Sequence, residues 1–385
     1  MKVNTNLITY IMKKIIFLFA VLLIVVVGCI AYSNRIVVVE PIVIGYIGPL
    51  TGPSAVLGMD AIKAVQIAVD EANMKGSVSS RPIKLVSEDD QYLTKNTVSA
   101  YHKLVDSDHV KIILVATYGG VFAIKDLAKK DGVIVVDPLD CNAQLADASN
   151  NIFCVATETE SIGKSLAQRL IVEKKLSAGV MYSTKDIFMS LVTDSFRKTY
   201  EAAGGKTTVE SFNYDDKDFK TQLSKIKAAN PNALVLLGHD ETGVIMKEAR
   251  DIGIKAPFLA TGTITSPGAQ KAAQGYAEGT LFAYWDASPD NVLAKSFNNK
   301  FIASVGRSPI LPLTTHPAYD VVNILTQKIL PSISGNVDAR KIKEGLLGIR
   351  SYAGITGEIS MGSNGAAPIS ESIYKLVKGM PVKVD

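Results

Sequence analysis

The sequence predicts an α/β fold of two similar lobes, each a largely parallel sheet with helices on both faces. Short apolar runs alternate with longer amphipathic stretches from residue 42 onward, the rhythm of strand and crossover helix. The runs are apolar throughout and do not alternate with polar residues, as expected of strands covered on both faces. After residue 155 the same rhythm restarts with a second block of similar length.

In order, residues 42–47 read as a strand. A Gly/Pro loop follows, then a helix over 58–73 with Ala61, Val65, Ala68 and Val69 on one face. Strands are predicted at 83–87, 110–116, 133–136 and 151–155, with helices at 94–105 and 121–130 between the earlier ones. The second block gives helices at 161–174, 189–203, 219–229 and 242–252. Its strands fall at 178–182, 206–212, 233–237, 257–260 and 279–284. Helices at 292–305, 318–330 and 339–347 follow, and strand-like pieces at 357–360 and 373–377 close the chain. No short-period repeat or low-complexity segment interrupts the pattern.

Composition sets the class. The chain is 47% hydrophobic and 20% charged, enough to build two cores and too apolar for disorder. Its length exceeds what one core usually fills. The net charge of +4 is spread without a basic stripe, which argues against a nucleic-acid partner. The four histidines are scattered and there is no Cys-x-x-Cys, so no metal site and no cofactor is expected.

Lys13 and Lys14 precede an apolar run over residues 15–27, which ends in Val26-Val27-Gly28-Cys29. This is the pattern of an export signal. The cysteine after a small residue gives it the form of a lipoprotein signal, cut between Gly28 and Cys29, with Cys29 carrying the lipid and residues 29–39 as a tether. The competing reading is an uncleaved anchor, although the run is shorter than the roughly 20 residues of a spanning helix. Met12 is an alternative start. In an extracytoplasmic setting Cys141 and Cys154 are free either to pair or to stay as thiols.

Residues 42–60, IVIGYIGPLTGPSAVLGMD, place a Gly/Pro/Ser/Thr loop, with Ser54 a candidate ligand contact, before a helix N-terminus. Unpaired N–H groups there suit a carboxylate or phosphate, though any crossover needs such a loop. This stretch, continued to residue 73, resembles the opening of the type I periplasmic binding proteins, in particular the leucine/isoleucine/valine-binding branch that serves branched-chain amino acid ABC transporters. EDDQYLTKNTVSAYHKLVD (88–106), IILVATYGGVFAIKDLAKKDGVIVVDPLD (112–140), DDKDFKTQLSKIKAANPNALVLLG (215–238), MKEARDIGIKAPFLATG (246–262) and HPAYDVVNIL (316–325) extend the likeness over residues 40–380, in order.

The resemblance implies two doubly wound lobes joined by a three-strand hinge, with a ligand between them at the carboxyl ends of strands. It puts the hinge strands near 155–158, 282–285 and 356–358. One lobe would be 40–156 plus 286–356, the other 158–283 plus 358–385. It also points to contact residues. Tyr118, Gly119 and Gly120 form a turn that holds a carboxylate in the family. Leu139, Asp140 and Cys141 form another, where Cys141 replaces a hydroxyl and Asp140 either meets an ammonium or caps a helix. Leu57 falls where the family often has an aromatic residue, and Phe188 near a second. His239 and Asp240 end a strand of the second lobe. Thr263 adjoins Gly262, which stands where amino-acid-binding members carry the glutamate that pairs with the ligand ammonium. Asp140, Asp186 and Asp240 are the possible substitutes; without one, an amide or short carboxylate is the better ligand. The family's cysteine pair is absent, with Tyr92 and Thr117 at the matching positions. His316 is expected at a helix start, either near the cleft or as a surface donor.

Three functions follow: a lipid-anchored binding protein that presents a small polar solute to an ABC transporter permease, a sensing lipoprotein on the same scaffold that signals to a membrane partner, and an enzyme. No Gly-x-Ser-x-Gly elbow, P-loop or paired-carboxylate signature supports the enzyme. A monomer held to the membrane by its lipid, with no catalytic residues, is the expectation.

Overall fold

The computed structural model describes residues 10, 12–24, 40–76, 78–79, 81–213, 216–288, 290–333 and 335–384. The chain divides into an N-terminal unit, Met1–Glu40, and a body, Pro41–Asp385. Residues 12–24 are helical with exposed side chains. No described helix is long and apolar enough to cross a membrane. The predicted cut and Cys29 lie outside the described residues.

The body opens with β1 (Ile42–Gly48), α1 (Ala55–Met74), β2 (Ile83–Asp89), α2 (Thr94–His102), β3 (Ile112–Val115), α3 (Tyr118–Asp131), β4 (Ile134–Asp137), β5 (Asp140–Cys141) and β6 (Ile152–Glu158). These strands form one parallel sheet in the order β2-β1-β3-β4-β6, and β5 also pairs with β6. Both faces are covered, which is why the strands read as unbroken apolar runs. Ile44, Ile112, Leu114, Ile134 and Val136 pack on the face under α1. Ile113, Val115, Val133 and Val135 pack on the other, with Val121 and Ile124 of α3.

The second block repeats the plan. It comprises α4 (Thr159–Val172), β7 (Ser177–Ser183), α5 (Ile187–Ala202), β8 (Lys206–Phe212), α6 (Lys220–Ala228), β9 (Ala233–Leu237), α7 (Glu241–Asp251), β10 (Phe258–Thr261), α8 (Pro267–Ala273) and β11 (Leu281–Tyr284). The order β8-β7-β9-β10-β11 repeats the first sheet's strand order. The sequence then returns to the first lobe with α9 (Val292–Val305), α10 (Pro312–Ile324) and α11 (Ala339–Leu347), followed by β12 (Tyr352–Gly354), β13 (Gly357–Ile359) and β14 (Ala366–Ile369). Finally β15 (Ser372–Val377) and β16 (Met380–Lys383) add antiparallel to the second sheet.

The chain therefore passes between the sheets after β6, after β11, and between β14 and β15. The last passage lies beyond the expected 356–358. Gly357–Ile359 turns back on Tyr352–Gly354 as a hairpin, because buried Asp320 holds the turn. Its carboxylate accepts from the Ile355 and Thr356 N–H groups at 2.9 Å and from Thr356 Oγ1 at 2.7 Å. The chain then lays β14 beside β6, parallel, before it leaves the first sheet.

α10 starts at Pro312, six residues before the expected 318. Pro312 suits the first helical position, and Pro317, which breaks the sequence pattern, sits inside the helix. His316 is consequently neither at a helix start nor at the surface. It is fully buried, packed edge-on against Trp285 and Phe297, and burial drives its pKa down to about 3.

Candidate functional site

A small cavity lies where the carboxyl ends of both sheets face each other. It offers about 40 Å³ of room for the centres of water-sized molecules, against roughly 10–15 Å³ needed for one. The first lobe contributes Leu57 from α1, Tyr92, Leu139 and Asp140, with Leu311 and Leu313 at the start of α10. The second contributes Ile162, Phe188, Met189, His239 and the Thr261-Gly262-Thr263 turn. Thr157 and Glu371 come from the passages between the lobes. The lobes touch across the gap: Tyr92 stands edge-on to His239 with ring centroids 5.5 Å apart, and Phe188 packs on Tyr118 at 6.3 Å.

Local folding explains how the polar groups arrive. Asp137, at the end of β4, accepts from the Leu139 N–H at 2.7 Å and the Asp140 N–H at 3.0 Å. That turn sets Asp140 in β5, in register with Thr157 of β6. On the other side of β6, Thr157 is in register with Ile369 of β14, two residues before Glu371. Asp140 and Glu371 thus flank one threonine. In the second lobe Asp186 caps α5 through the Phe188 N–H at 2.9 Å. Its other oxygen lies 3.1 Å from His239 Nε2.

Electrostatics follow from this burial. Asp140 is 3% exposed. Burial first, then the charges of Asp137, Asp186 and Glu371, push its pKa well above the carboxylate range. Burial lifts Asp137 to about 8 against its two backbone bonds. Burial lifts Glu371 to about 8, with Thr157 working the other way. Asp140 Oδ2 and Glu371 Oε2 are out of solvent and have no hydrogen-bond partner among the described residues. For His239, burial opposes the charged form, but the Asp186 carboxylate, helped by Glu241 and Asp240, raises its pKa above the ordinary value.

Of the residues singled out from sequence, Leu57, Leu139, Asp140, Phe188, His239 and Thr263 line this cavity. The remaining candidates sit elsewhere. Cys141 is no thiol donor: it forms a disulfide with Cys154, Cα atoms 5.2 Å apart, inside the first core. Tyr118 is buried beside the cavity, and its hydroxyl accepts from Asn142 Nδ2 at 2.9 Å. Gly119 and Gly120 allow α3 to lie close to α2: a Cβ on Gly119 would meet Thr94 Oγ1 at 2.8 Å, and one on Gly120 would meet Thr97 Oγ1 at 2.5 Å. Ser54 is a buried residue at the start of α1 whose side chain makes no cap bond. Asp240 accepts from the Ser266 hydroxyl at the start of α8. Glu371 escaped the sequence reading. Its segment contains Pro368, which weakens any strand signal, and the family resemblance puts the last passage upstream, near 356–358.

Tyr92 and Thr117, at the positions of the missing cysteine pair, are instead tied by Asp90. That carboxylate accepts from the Tyr92 N–H at 2.9 Å, Thr97 Oγ1 at 2.8 Å and Thr117 Oγ1 at 2.5 Å. Gln91 and Tyr92 take φ values of 54° and 61°, and this rare pair of left-handed conformations turns Tyr92 over His239.

The model of the family described as periplasmic binding protein matches residues 41–375. The chain belongs to the periplasmic binding protein family. Members of this family are solute-binding proteins that work outside the cytoplasm, not enzymes. The Leu/Ile/Val-binding protein homolog 2 of Brucella abortus is 29% identical over 269 residues, which are 67% of this chain and 71% of that one. Among solved structures, the leucine-binding protein LivK of Thermotoga maritima has a TM-score of 0.81 at 23% identity, covering 89% of this chain and 98% of its own. The branched-chain amino acid transporter substrate-binding protein LivJ of Streptococcus pneumoniae, in complex with isoleucine, has a TM-score of 0.78 at 23% identity, covering 90% and 100%. These two structures share the type I fold of this periplasmic binding protein.

Proposed function

We propose that this chain captures a small polar solute between its lobes outside the cytoplasm and delivers it to the permease of an ABC transporter. The observation that carries the reading is a cavity walled by both lobes, with Asp140 from one and His239 from the other at strand ends. A group touched from both sides stabilises the closed form by its differential contacts. The three passages between the sheets would act as the hinge. The names of the relatives point to solutes of amino-acid size. Cys29 would be lipidated after cleavage behind Gly28, holding the protein at the membrane surface as a monomer.

The test is a thermal-shift screen of amino acids, amides, amines and short carboxylates on the purified protein. A true ligand at 100 times its Kd stabilises the fold by about 2.7 kcal/mol. A flat response from every class, with no solute co-purifying, would contradict the reading, as would turnover of a bound solute.

A further inference from the structure

Asp140 is almost wholly buried, lines the cavity, and has an oxygen without a partner among the described residues. Glu371 reaches the same cavity from the far side of Thr157, and its Oε2 is likewise out of solvent and unpartnered. No lysine or arginine is among the described residues that line the space.

Several donors in the wall already have acceptors. The N–H groups of Leu139 and Asp140 go to Asp137. Thr263 Oγ1 donates to the Gly238 carbonyl at 2.8 Å, and Thr261 Oγ1 lies 2.7 Å from Thr263 Oγ1. The His239 backbone N–H goes to Glu241 and its ring Nε2 faces Asp186. Unpartnered carboxyl oxygens beside engaged donors suit a ligand rich in donors, and the charged form of a buried carboxyl is favoured by an opposite charge. A ligand carboxylate, by contrast, would meet two acids, while His239, the basic side chain among the described lining residues, already faces Asp186.

We propose that the occupant is a small organic cation, an ammonium or amidinium on a short apolar body without a carboxylate, held between Asp140 and Glu371. Leu57, Leu139 and Met189 form the apolar part of its seat. This rests on the solute-binding reading above and narrows its ligand class. Binding converts protonated carboxyls into carboxylates, so protons pass to the buffer as the cation enters. The titratable groups around the site are Asp137 below Asp140, the Asp186–His239 pair opposite, Tyr92, and Glu371 itself.

A matched set tests it: leucine, 3-methylbutan-1-amine (leucine without its carboxylate), 4-methylpentanoate (leucine without its amine) and 4-methylpentanamide, with the corresponding alanine-sized set and with Mg²⁺ and Ca²⁺. Calorimetric titration is expected to show the amine binding at least about tenfold tighter than the amino acid. The carboxylate should show no binding. Titration of the amine at pH 6.5 in two buffers of different ionisation heat should show net proton release. Asp140→Asn and Glu371→Gln should each weaken the amine at least about tenfold while melting no lower than wild type. Binding of leucine or the carboxylate as tight as the amine would overturn the cation while leaving the solute-binding function standing. So would an equal effect of either metal ion, unchanged amine affinity in both variants, or the absence of proton release. Failure of every compound, with no solute co-purifying, would sink both.

Discussion

A Cβ at Gly120 would lie 2.5 Å from Thr97 Oγ1 and 2.7 Å from Thr97 Cγ2, and Thr97 is fully buried and bonded to Asp90. Gly120→Ala should therefore cost about 1–3 kcal/mol of stability, read from urea denaturation, with affinity for solute little changed. A large affinity loss at unchanged stability would instead make Gly120 a ligand contact, the role its turn suggests from sequence. Asp186 is a second case. Asp186→Asn keeps a good cap for α5 but removes the charge that raises the pKa of His239. The His239 titration followed by NMR should move to lower pH in the variant, since burial alone disfavours the imidazolium. An unchanged midpoint would show that Asp186 is not its partner in solution.

At the scale of elements, the disulfide joins β5 to β6 next to Asp140. The bonded cysteines are 13 residues apart, and closing a loop of that size is worth about 3 kcal/mol in the chain-entropy account. Replacing both cysteines by alanine should lower stability by about that amount and weaken solute binding, because the turn that carries Asp140 loses its tie. Urea melts and titration of the same variant check both effects; unchanged affinity would mean that Asp137 alone positions the turn. The interior strands were readable because burial on both faces leaves an unbroken apolar run. Asp140 and His239 were readable because they follow such runs at a strand end. α8, β12, β14 and the early start of α10 were not. Pro317 and Pro368 carry the local signal of a break, and only neighbouring elements, β6 beside β14 and Asp320 under the hairpin, override it. Glu371 carries no signal apart from β14, and the disulfide is not legible because its geometry depends on how β5 lies along β6.

For the whole molecule, the buried acids set a pH dependence. Asp137 and Glu371 hold their protons to about pH 8 in the folded protein, while in the unfolded chain they lose them near pH 4. Between those limits the folded form binds more protons, so the stability of the solute-free protein should fall as pH rises from about 4 to 8. His239 acts in the same direction, since its raised folded pKa gives stability that is lost as pH rises through it. Melting temperatures across that range check the sign; a rise toward pH 8 would contradict the assignment.

Closure of two lobes on a solute is open to hydrogen–deuterium exchange, with and without the solute that co-purifies with the native protein. Exchange should slow on both sides of one cavity: around Leu139 and Asp140 in the first lobe, around Phe188, His239 and Thr263 in the second, and at Glu371 between them. Protection confined to a single lobe, or gathered at a surface away from these strand ends, would contradict it.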